Sequence, residues 1–243
     1  MSSARMVRVL VTAMVLALSA LVGGAQAASE ERLAELLTRL MQTGRKVVSD
    51  HQALINDPDK GDKGFTADFL AERVIADFGK TTGIDLQKPA SEEGKLLVAL
   101  LEAQKEVVTE AQPVINRPGM GFKGFIPAAF VRRTAEKFSP RSGIQIKFTA
   151  MAFRNARNKP DDFETKAFTA IAAPGYPKGK PFQQALTLDG RKVVRVMYPE
   201  YAVKSCLACH GGPRGELDIT GGKKEGYVEG DLAGALSFII PLK

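Results

Sequence analysis

The sequence predicts an α+β protein in which a helical N-terminal part precedes an antiparallel sheet. Three observations lead to this prediction: apolar residues at helical spacing in the first half, a repeated helical segment, and alternating apolar and polar residues after residue 143. Helices that precede a run of strands are typical of the α+β class and not of alternating α/β folds.

The first 27 residues have the features of a secretory signal. Arg5 and Arg8 precede an apolar run over residues 9–22, and Ala25-Gln26-Ala27 is a small-x-small cleavage site. The run is shorter than the ~20 apolar residues of a membrane span. We therefore predict cleavage after Ala27, a periplasmic or secreted protein, and no membrane span in the mature chain; an uncleaved anchor is the alternative.

A segment of the helical part recurs at an offset of 60 residues. Residues 47–86 align without gaps with residues 107–146, and 14 of the 40 positions are identical. The identities include Lys63 and Lys123, in glycine loops where they would serve solubility or form a helix-end hydrogen bond. Two copies are too few for a solenoid, so we expect a pseudo-symmetric pair of helix–loop–helix units.

The helices follow from apolar spacing and from capping residues. Residues 33–51 place their apolar side chains on one face of a helix, which ends before Pro58 because proline cannot continue it. Ser29 and Ser91 are candidate N-caps, and a second helix is predicted from about Thr66 to Phe78. Its counterpart begins at Pro127, which suits a first helical position.

Strands are predicted after residue 143. Residues 144–148 alternate, residues 168–172 form a second candidate, residues 185–197 form a hairpin around Asp189-Gly190, and residues 232–242 close the sheet. We expect four or five antiparallel strands with helices packed on one face. The segment 211–230 contains seven glycines and is expected to be mobile or wrapped over a surface.

Cys206-Leu207-Ala208-Cys209-His210 has the Cys-x-x-Cys-His pattern of covalent haem c attachment. Two thiols at this spacing can each form a thioether to a haem vinyl group, and the following histidine is the proximal iron ligand. A thioredoxin-like dithiol, a structural zinc site and a disulfide are the alternatives. The chain contains only these two cysteines, and attachment after export agrees with the predicted signal segment. One covalent haem c is therefore the predicted cofactor.

The chain resembles the haem-c-binding PAS-like domain of bacterial periplasmic sensor proteins, a family long described as a domain of unknown function. The resemblance is carried by the cysteine motif, the 56–66 loop, the segment from Arg154 to Asp162 and the segment 230–235. It implies a PAS-like sheet over residues 143–243, an N-terminal helical extension over residues 28–142, and a second iron ligand from that extension. In some members that ligand is a cysteine, for which this chain has no candidate.

His51 is predicted to be the distal iron ligand. It lies 18 residues after Leu33, which is five helical turns, and so points inward with the apolar face. The equivalent position in the repeat is Ala111, and Gly44 on the same face would leave room for a macrocycle. The alternatives are a core histidine bonded to backbone, an open site, or a methionine ligand from Met41, Met120, Met151 or Met197.

A basic cluster precedes the turn at Pro160. Since a guanidinium suits carboxylates, Arg154 or Arg157 is predicted to bind a haem propionate; Lys159 belongs to the same cluster, and a solvated loop is the alternative.

A soluble electron carrier is the favoured function, because it needs only one haem with a stable, usually six-coordinate iron and an exposed haem edge. The net charge of +7 comes without a dense basic run, so no nucleic acid partner is expected, and the partner would be a redox protein. A haem-based redox or gas sensor that acts through a separate signalling protein is the alternative. A peroxidase-type enzyme is less favoured because His51 would have to supply the whole distal acid–base chemistry.

Overall fold

The computed structural model describes residues 29–242, in which a helical N-terminal part is followed by a four-stranded sheet. The predicted signal segment lies outside these residues. The helices are α1 over residues 29–50, α2 Gln52–Ile55, α3 Ala67–Thr82, α4 Glu92–Ile115, α5 Pro127–Ser142, α6 Asp162–Ile171 and α7 Leu207–His210. The strands are β1 Gln145–Thr149, β2 Phe182–Leu188, β3 Arg191–Tyr201 and β4 Leu232–Pro241. None of the helices in the described range is long and apolar enough to cross a membrane.

The two repeat units hold each other's glycine loops through reciprocal hydrogen bonds. The backbone N–H of Lys63 donates to Asn116 Oδ1 at 3.1 Å, and that of Lys123 donates to Asn56 Oδ1 at 2.9 Å. These four residues occupy equivalent positions 60 residues apart, so the predicted pseudo-symmetric pair is confirmed.

The same exchange occurs one turn earlier in each unit, at Gln52 of α2 and Gln112 of α4. Gln52 Nε2 donates to the carbonyl of Phe125 at 3.0 Å, and Gln112 Nε2 donates to the carbonyl of Phe65 at 2.7 Å. Both phenylalanine side chains are buried. Each unit therefore completes the hydrogen bonding of the other unit's loop, which satisfies backbone groups that burial would otherwise leave unpaired.

The buried side chains of Lys63 and Lys123 donate hydrogen bonds to the backbone of these loops. Both residues are buried, and their ammonium groups donate to backbone carbonyls: Lys63 to Lys60 and Gly61, Lys123 to Arg117 and Met120. Burial, with Lys63 nearby, lowers the pKa of Lys123. The side chains do form hydrogen bonds, but with carbonyls of the loops and not of a helix end, and a solubility role is wrong because neither side chain faces solvent.

The helix ends follow the predicted caps. The side chain of Thr66 accepts from the N–H of Phe69, that of Ser91 accepts from Gly94, and Pro127 occupies the first turn of α5. Ser29 already lies within α1, so its prediction as an N-cap is wrong.

The sheet is antiparallel throughout with the order β1-β4-β3-β2. β2 and β3 form the predicted hairpin, in which Asp189 and Gly190 take φ values of 49° and 76°. Positive φ at both central positions is the requirement of a tight type I′ turn. The α+β class, with an antiparallel sheet that follows a helical N-terminal part, is therefore confirmed.

Helices cover both faces of the sheet, so the expectation of helices on one face is wrong. Val194, Val196 and Tyr198 on β3 join the large core formed with the N-terminal helices. Met197, which points to the opposite face, packs with Phe168 of α6 in a second, smaller core.

Residues 168–172, predicted as a strand, lie mainly in α6. Asp161 and Glu164 form a reciprocal capping box at the start of this helix. Ala167, Phe168 and Ile171 recur at helical spacing and bury one face of the helix against the sheet. The short apolar run is compatible with a strand or a helix, and the capping box formed by Asp161 and Glu164 favours the helix.

Candidate functional site

The cysteine motif lies directly beyond the end of β3. A register shift at Glu200 and Tyr201 ends the regular pairing with β4, and a 3₁₀ turn over Lys204–Cys206 leads into α7. Ala202 then closes the base of the long loop. Its carbonyl accepts from Gly230 at 2.8 Å, and its N–H donates to the carbonyl of Asp231 at 2.8 Å. The C-terminal end of the glycine-rich segment is therefore held beside the residues that lead into the motif.

Within this loop the backbone wraps around His210. The carbonyl of His210 accepts from the N–H groups of Gly226 and Tyr227 at 3.0 and 2.9 Å. The Tyr227 ring is stacked on the imidazole, with 6.4 Å between ring centroids. The expectation of a segment wrapped over a surface is thus met, and the surface is that of the motif itself.

Both cysteines are free thiols. Cys206 and Cys209 are partly buried and do not form a disulfide with each other. Burial, together with the neighbouring Asp218, raises the pKa of the Cys209 thiol, which keeps it in the neutral form. The donor set therefore contains two thiols available for thioether bonds, as haem c attachment requires.

The imidazole of His210 is oriented by a carboxylate. His210 Nδ1 lies 2.7 Å from Glu225 Oε2. With Glu225 ionised, the proton resides on Nδ1 and the lone pair on Nε2, which is the tautomer of an iron-ligating histidine. The His210 side chain is 42% exposed, so the ring is accessible to a bound group.

Arg154 connects this carboxylate to the motif backbone. Its Nε lies 2.7 Å from Glu225 Oε1, its Nη1 donates to Asp218 Oδ2 at 2.7 Å, and its Nη2 donates to the carbonyl of Cys209 at 2.7 Å. Burial alone would raise the pKa of Glu225, but hydrogen bonds from Arg154 and His210 outweigh it and hold that pKa below its ordinary value. The pKa of Asp218 is likewise depressed, since hydrogen bonds from Thr220 and Arg154 overcome its burial. Both carboxylates are therefore ionised at neutral pH.

Exposed apolar side chains lie in the loop that contains the motif and in the loop that Arg154 joins to it. Among residues 29–242, the exposed large hydrophobic residues all lie in the loops 150–154 and 202–231: Met151, Phe153, Val203, Leu217, Ile219 and Val228. Arg154 in the first loop donates hydrogen bonds to Cys209 and Asp218 in the second. A haem attached at the two thiols would offer an apolar surface to such side chains. The thiols, the oriented imidazole and the apolar surroundings together fit a covalently bound haem.

His51 lies at the junction of α1 and α2, against the start of α3. Its Nδ1 is 2.7 Å from the carbonyl of Val47, and its ring centroid lies 5.5 Å from that of Phe65 and 5.1 Å from that of Phe69. If Nδ1 donates to this carbonyl, Nε2 keeps its lone pair. The ring contacts Val47, Phe65 and Phe69, all in the helical part, so its distal role stays a prediction.

The space beside Gly44 is filled by protein. A Cβ at this position would lie 2.3 Å from Gln104 Oε1, and Gln104 is fully buried. The expectation that Gly44 leaves room for a macrocycle is therefore wrong: the glycine accommodates its own repeat equivalent.

The other predicted site residues differ in whether they contact the motif. Arg157 pairs with Glu136 of α5 at 3.1 Å, and its side chain is 69% exposed. Arg154, in contrast, donates a hydrogen bond to the carbonyl of Cys209 in the motif. The propionate assignment of both arginines stays a prediction. Of the candidate methionines, Met41 and Met197 are fully buried in the two cores, while Met151 is 60% exposed in a loop tied to the motif.

Sequence reasoning missed Glu225, Asp218 and Tyr227. All three lie in the glycine-rich segment, which has no apolar period, and Glu225 follows His210 by 15 residues. No sequence signal identifies them, because their positions depend on how this loop returns to the motif.

Two comparisons with known proteins place the chain. The family model described as Tll0287-like matches residues 27–241. Among solved structures, the crystal structure of the cyanobacterial haem protein Tll0287 is similar, with 21% sequence identity and a TM-score of 0.43 over 63% of this chain and 98% of that chain. No curated protein shows a significant match.

Proposed function

Since the chain belongs to the Tll0287-like family, we propose that it is an exported monohaem c-type cytochrome that carries electrons. The protein after which the family is named is itself a haem protein. Cys206 and Cys209 would hold the haem through thioether bonds, and His210 Nε2 would be the proximal iron ligand. The bound haem would supply a one-electron Fe(III)/Fe(II) couple.

One observation carries this proposal: the Nδ1 of His210 is held by Glu225 at 2.7 Å, next to two free thiols. A histidine that only filled space would not need a largely buried carboxylate to orient its ring, and the His210 side chain is 42% exposed. Metal-ligating histidines almost always have such an outer partner, because it fixes the tautomer and the ring orientation. The exposed apolar residues around the motif supply the matching surface.

An electron carrier needs a site that does not rearrange on reduction. Arg154 supports this requirement because it joins the 150–154 loop, Glu225, Asp218 and the carbonyl of Cys209 in a single hydrogen-bonded unit. These contacts restrain the proximal side of the site from several directions. His51 is our proposal for the distal ligand, which would complete a six-coordinate iron.

The carrier role is tested by the absorption spectrum and by reduction of the holoprotein. We expect a six-coordinate, low-spin spectrum in both oxidation states, no carbon monoxide binding, and fast one-electron exchange with a small-molecule reductant. A ferrous form that binds carbon monoxide or changes its ligand would exclude a simple carrier.

A haem-based sensor is the second candidate, and one contact favours it. Glu200 at the end of β3 is buried; it accepts from Gln42 Nε2 at 2.6 Å and pairs with Arg45 Nη1 at 3.1 Å, both on α1. The helical part is thereby joined to the strand that leads into the motif. A change at the haem could pass along this contact to a separate signalling protein, and ligand exchange on reduction would be its signature.

Export is proposed together with haem attachment. Removal of residues 1–27 would leave Ala28 as the first residue, which N-terminal sequencing of protein from a periplasmic fraction can test. Recovery of the holoprotein with an intact N-terminus in the membrane fraction would show an uncleaved anchor instead.

A further inference from the structure

Glu225 lies between His210 and Arg154 and is hydrogen-bonded to both. Glu225 Oε2 is 2.7 Å from His210 Nδ1 and 2.9 Å from Arg154 Nη2, while Arg154 Nε reaches Oε1 at 2.7 Å. The Glu225 side chain is only 12% exposed. One carboxylate oxygen is therefore shared between the imidazole and the guanidinium in a largely desolvated place.

The sharing has a direct consequence for the histidine. A carboxylate that accepts from one ring nitrogen raises the basicity of the other nitrogen as a metal ligand. A more basic ligand stabilises ferric iron more than ferrous iron, because the ferric ion carries the larger charge, and the reduction potential falls. A guanidinium on the same carboxylate withdraws part of its negative charge and weakens this effect.

Arg154 is fixed in this position by two further bonds. Its Nη1 donates to Asp218 Oδ2 at 2.7 Å, and Asp218 accepts in turn from Thr220 and from the N–H of Gly222. Its Nη2 also donates to the carbonyl of Cys209 at 2.7 Å. The guanidinium cannot leave Glu225 without breaking contacts to the motif backbone and to Asp218.

We propose that Glu225 and Arg154 are positioning residues that act as an opposed pair on the proximal histidine, Glu225 lowering the reduction potential of the haem and Arg154 limiting that decrease. The proposal rests on the proposed haem site at His210. It assigns to Glu225 the tuning of this site and to Arg154 a role distinct from propionate binding.

Glu225→Gln is the first test, performed on the full-length holoprotein. Glutamine has the same shape and keeps an acceptor oxygen, but it lacks the charge. We expect haem to remain attached, the reduction potential to rise, and the g values of the ferric EPR spectrum to shift. A tenfold change in the ferric-to-ferrous preference corresponds to ~59 mV for one electron. An attached haem with unchanged potential and g values would overturn the proposal.

A matched control separates ligand tuning from simple charge removal. Glu216→Gln removes a carboxylate from the same loop, where it pairs with Lys224 at 2.8 Å and not with His210. We expect a smaller shift of the potential and no change in the g values. Equal effects of the two variants on both readouts would show that only net charge matters and would contradict the proposal.

Arg154→Gln provides the second arm and does not depend on whether the Glu225 variant accumulates. We expect the potential to fall and the g values to shift in the opposite direction. In the Glu225→Gln background this decrease should become smaller, because the carboxylate through which Arg154 acts is gone. Strictly additive shifts would show that Arg154 acts only through its own charge. A wild-type protein without covalent haem would instead refute the proposed function, so the two failures are distinguishable.

Discussion

Gly44 on α1 lies directly against the side chain of Gln104 on α4, although the two positions are equivalent in the repeat. A Cβ at residue 44 would lie 2.3 Å from Gln104 Oε1 and 2.7 Å from its Cδ. Gln104 Nε2 donates to the carbonyl of Leu40 at 3.1 Å, while its Oε1 is buried without a hydrogen-bond partner. A small residue on one unit thus makes room for a large one on the other, which breaks the pseudo-symmetry at the helix contact.

Gly44→Ala should therefore destabilise the protein despite the higher helix propensity of alanine. Overpacking a core typically costs about 1–3 kcal/mol, whereas the propensity gain is about 1 kcal/mol, so we expect a net loss of about 1 kcal/mol. Urea unfolding would measure it. In a Gln104→Ala background the same substitution should be stabilising, since the new methyl group then enters free space. A loss of equal size in both backgrounds would contradict this packing relationship.

The reciprocal loop contacts predict matched losses of stability. Asn56→Ala leaves the N–H of Lys123 without its acceptor, and Asn116→Ala does the same to Lys63. An unsatisfied buried donor costs roughly 1–3 kcal/mol, so the two variants should lose similar free energies of unfolding. Asp59→Ala, in the exposed part of the first loop, is the control and should change little. Strongly unequal losses would show that the two loops are not equivalent.

Asp161 makes a pH-dependent contribution through Arg195. Burial alone would raise the pKa of Asp161, but the N–H of Glu164 and the Arg195 guanidinium at 2.7 Å outweigh it and lower that pKa. A carboxyl whose pKa is lower in the folded state stabilises the protein above its unfolded value of about 3.9, and this stabilisation is lost as the pH falls through the folded pKa.

Asp161→Asn should accordingly reduce the free energy of unfolding at pH 7 but not in strong acid. Asparagine is also a good N-cap, so the loss of stability reports the removed charge and not a lost cap. We expect a loss of up to about 1 kcal/mol, because solvent screens the partly exposed carboxylate. Urea unfolding at several pH values measures it. The control Asp162→Asn removes a neighbouring exposed charge and should show a weaker dependence. A difference from wild type that persists unchanged below both pKa values would contradict the assignment.

The sequence predicts those elements of the fold that depend on neighbouring residues, and it fails where residues further along the chain determine the structure. The repeat, the Asp189-Gly190 hairpin and the caps at Thr66 and Ser91 were all readable because each depends on neighbouring residues. Residues 168–172 were misassigned because a short apolar run fits a strand or a buried helix equally well. The capping residues Asp161 and Glu164, seven and four positions before Phe168, contained the missing information.

The residues of the candidate site also fall into those that the sequence predicts and those that it does not. Cys206, Cys209 and His210 are predicted as the haem c residues from spacing alone, because attachment chemistry fixes that spacing. Glu225 could not, since its position beside His210 depends on how a loop without periodicity returns to the motif. Gly44 was misinterpreted because nothing in the sequence shows that Gln104 of the other unit occupies the space beside it.

His51→Ala tests the distal ligand. If His51 Nε2 binds iron, the variant should change the ferric spectrum from low spin to high spin and open the ferrous form to carbon monoxide, with the haem still attached. Absorption spectra before and after addition of carbon monoxide measure this. Met151→Leu is the matched control, because Met151 is the exposed methionine in the loop tied to the motif, and its spectrum should be unchanged. The opposite pattern would assign the sixth position to methionine.

The most direct test of the haem c assignment is the mass of the peptide that contains Cys206, Cys209 and His210. Protein produced in the periplasm of a host with haem c maturation would be extracted with acid acetone, digested and analysed by mass spectrometry. We predict that this peptide retains one haem through two thioether bonds, that Cys206→Ala or Cys209→Ala leaves at most one bond, and that the double variant carries none. Complete removal of haem from the wild type by extraction, or a peptide with two free thiols, would contradict the assignment.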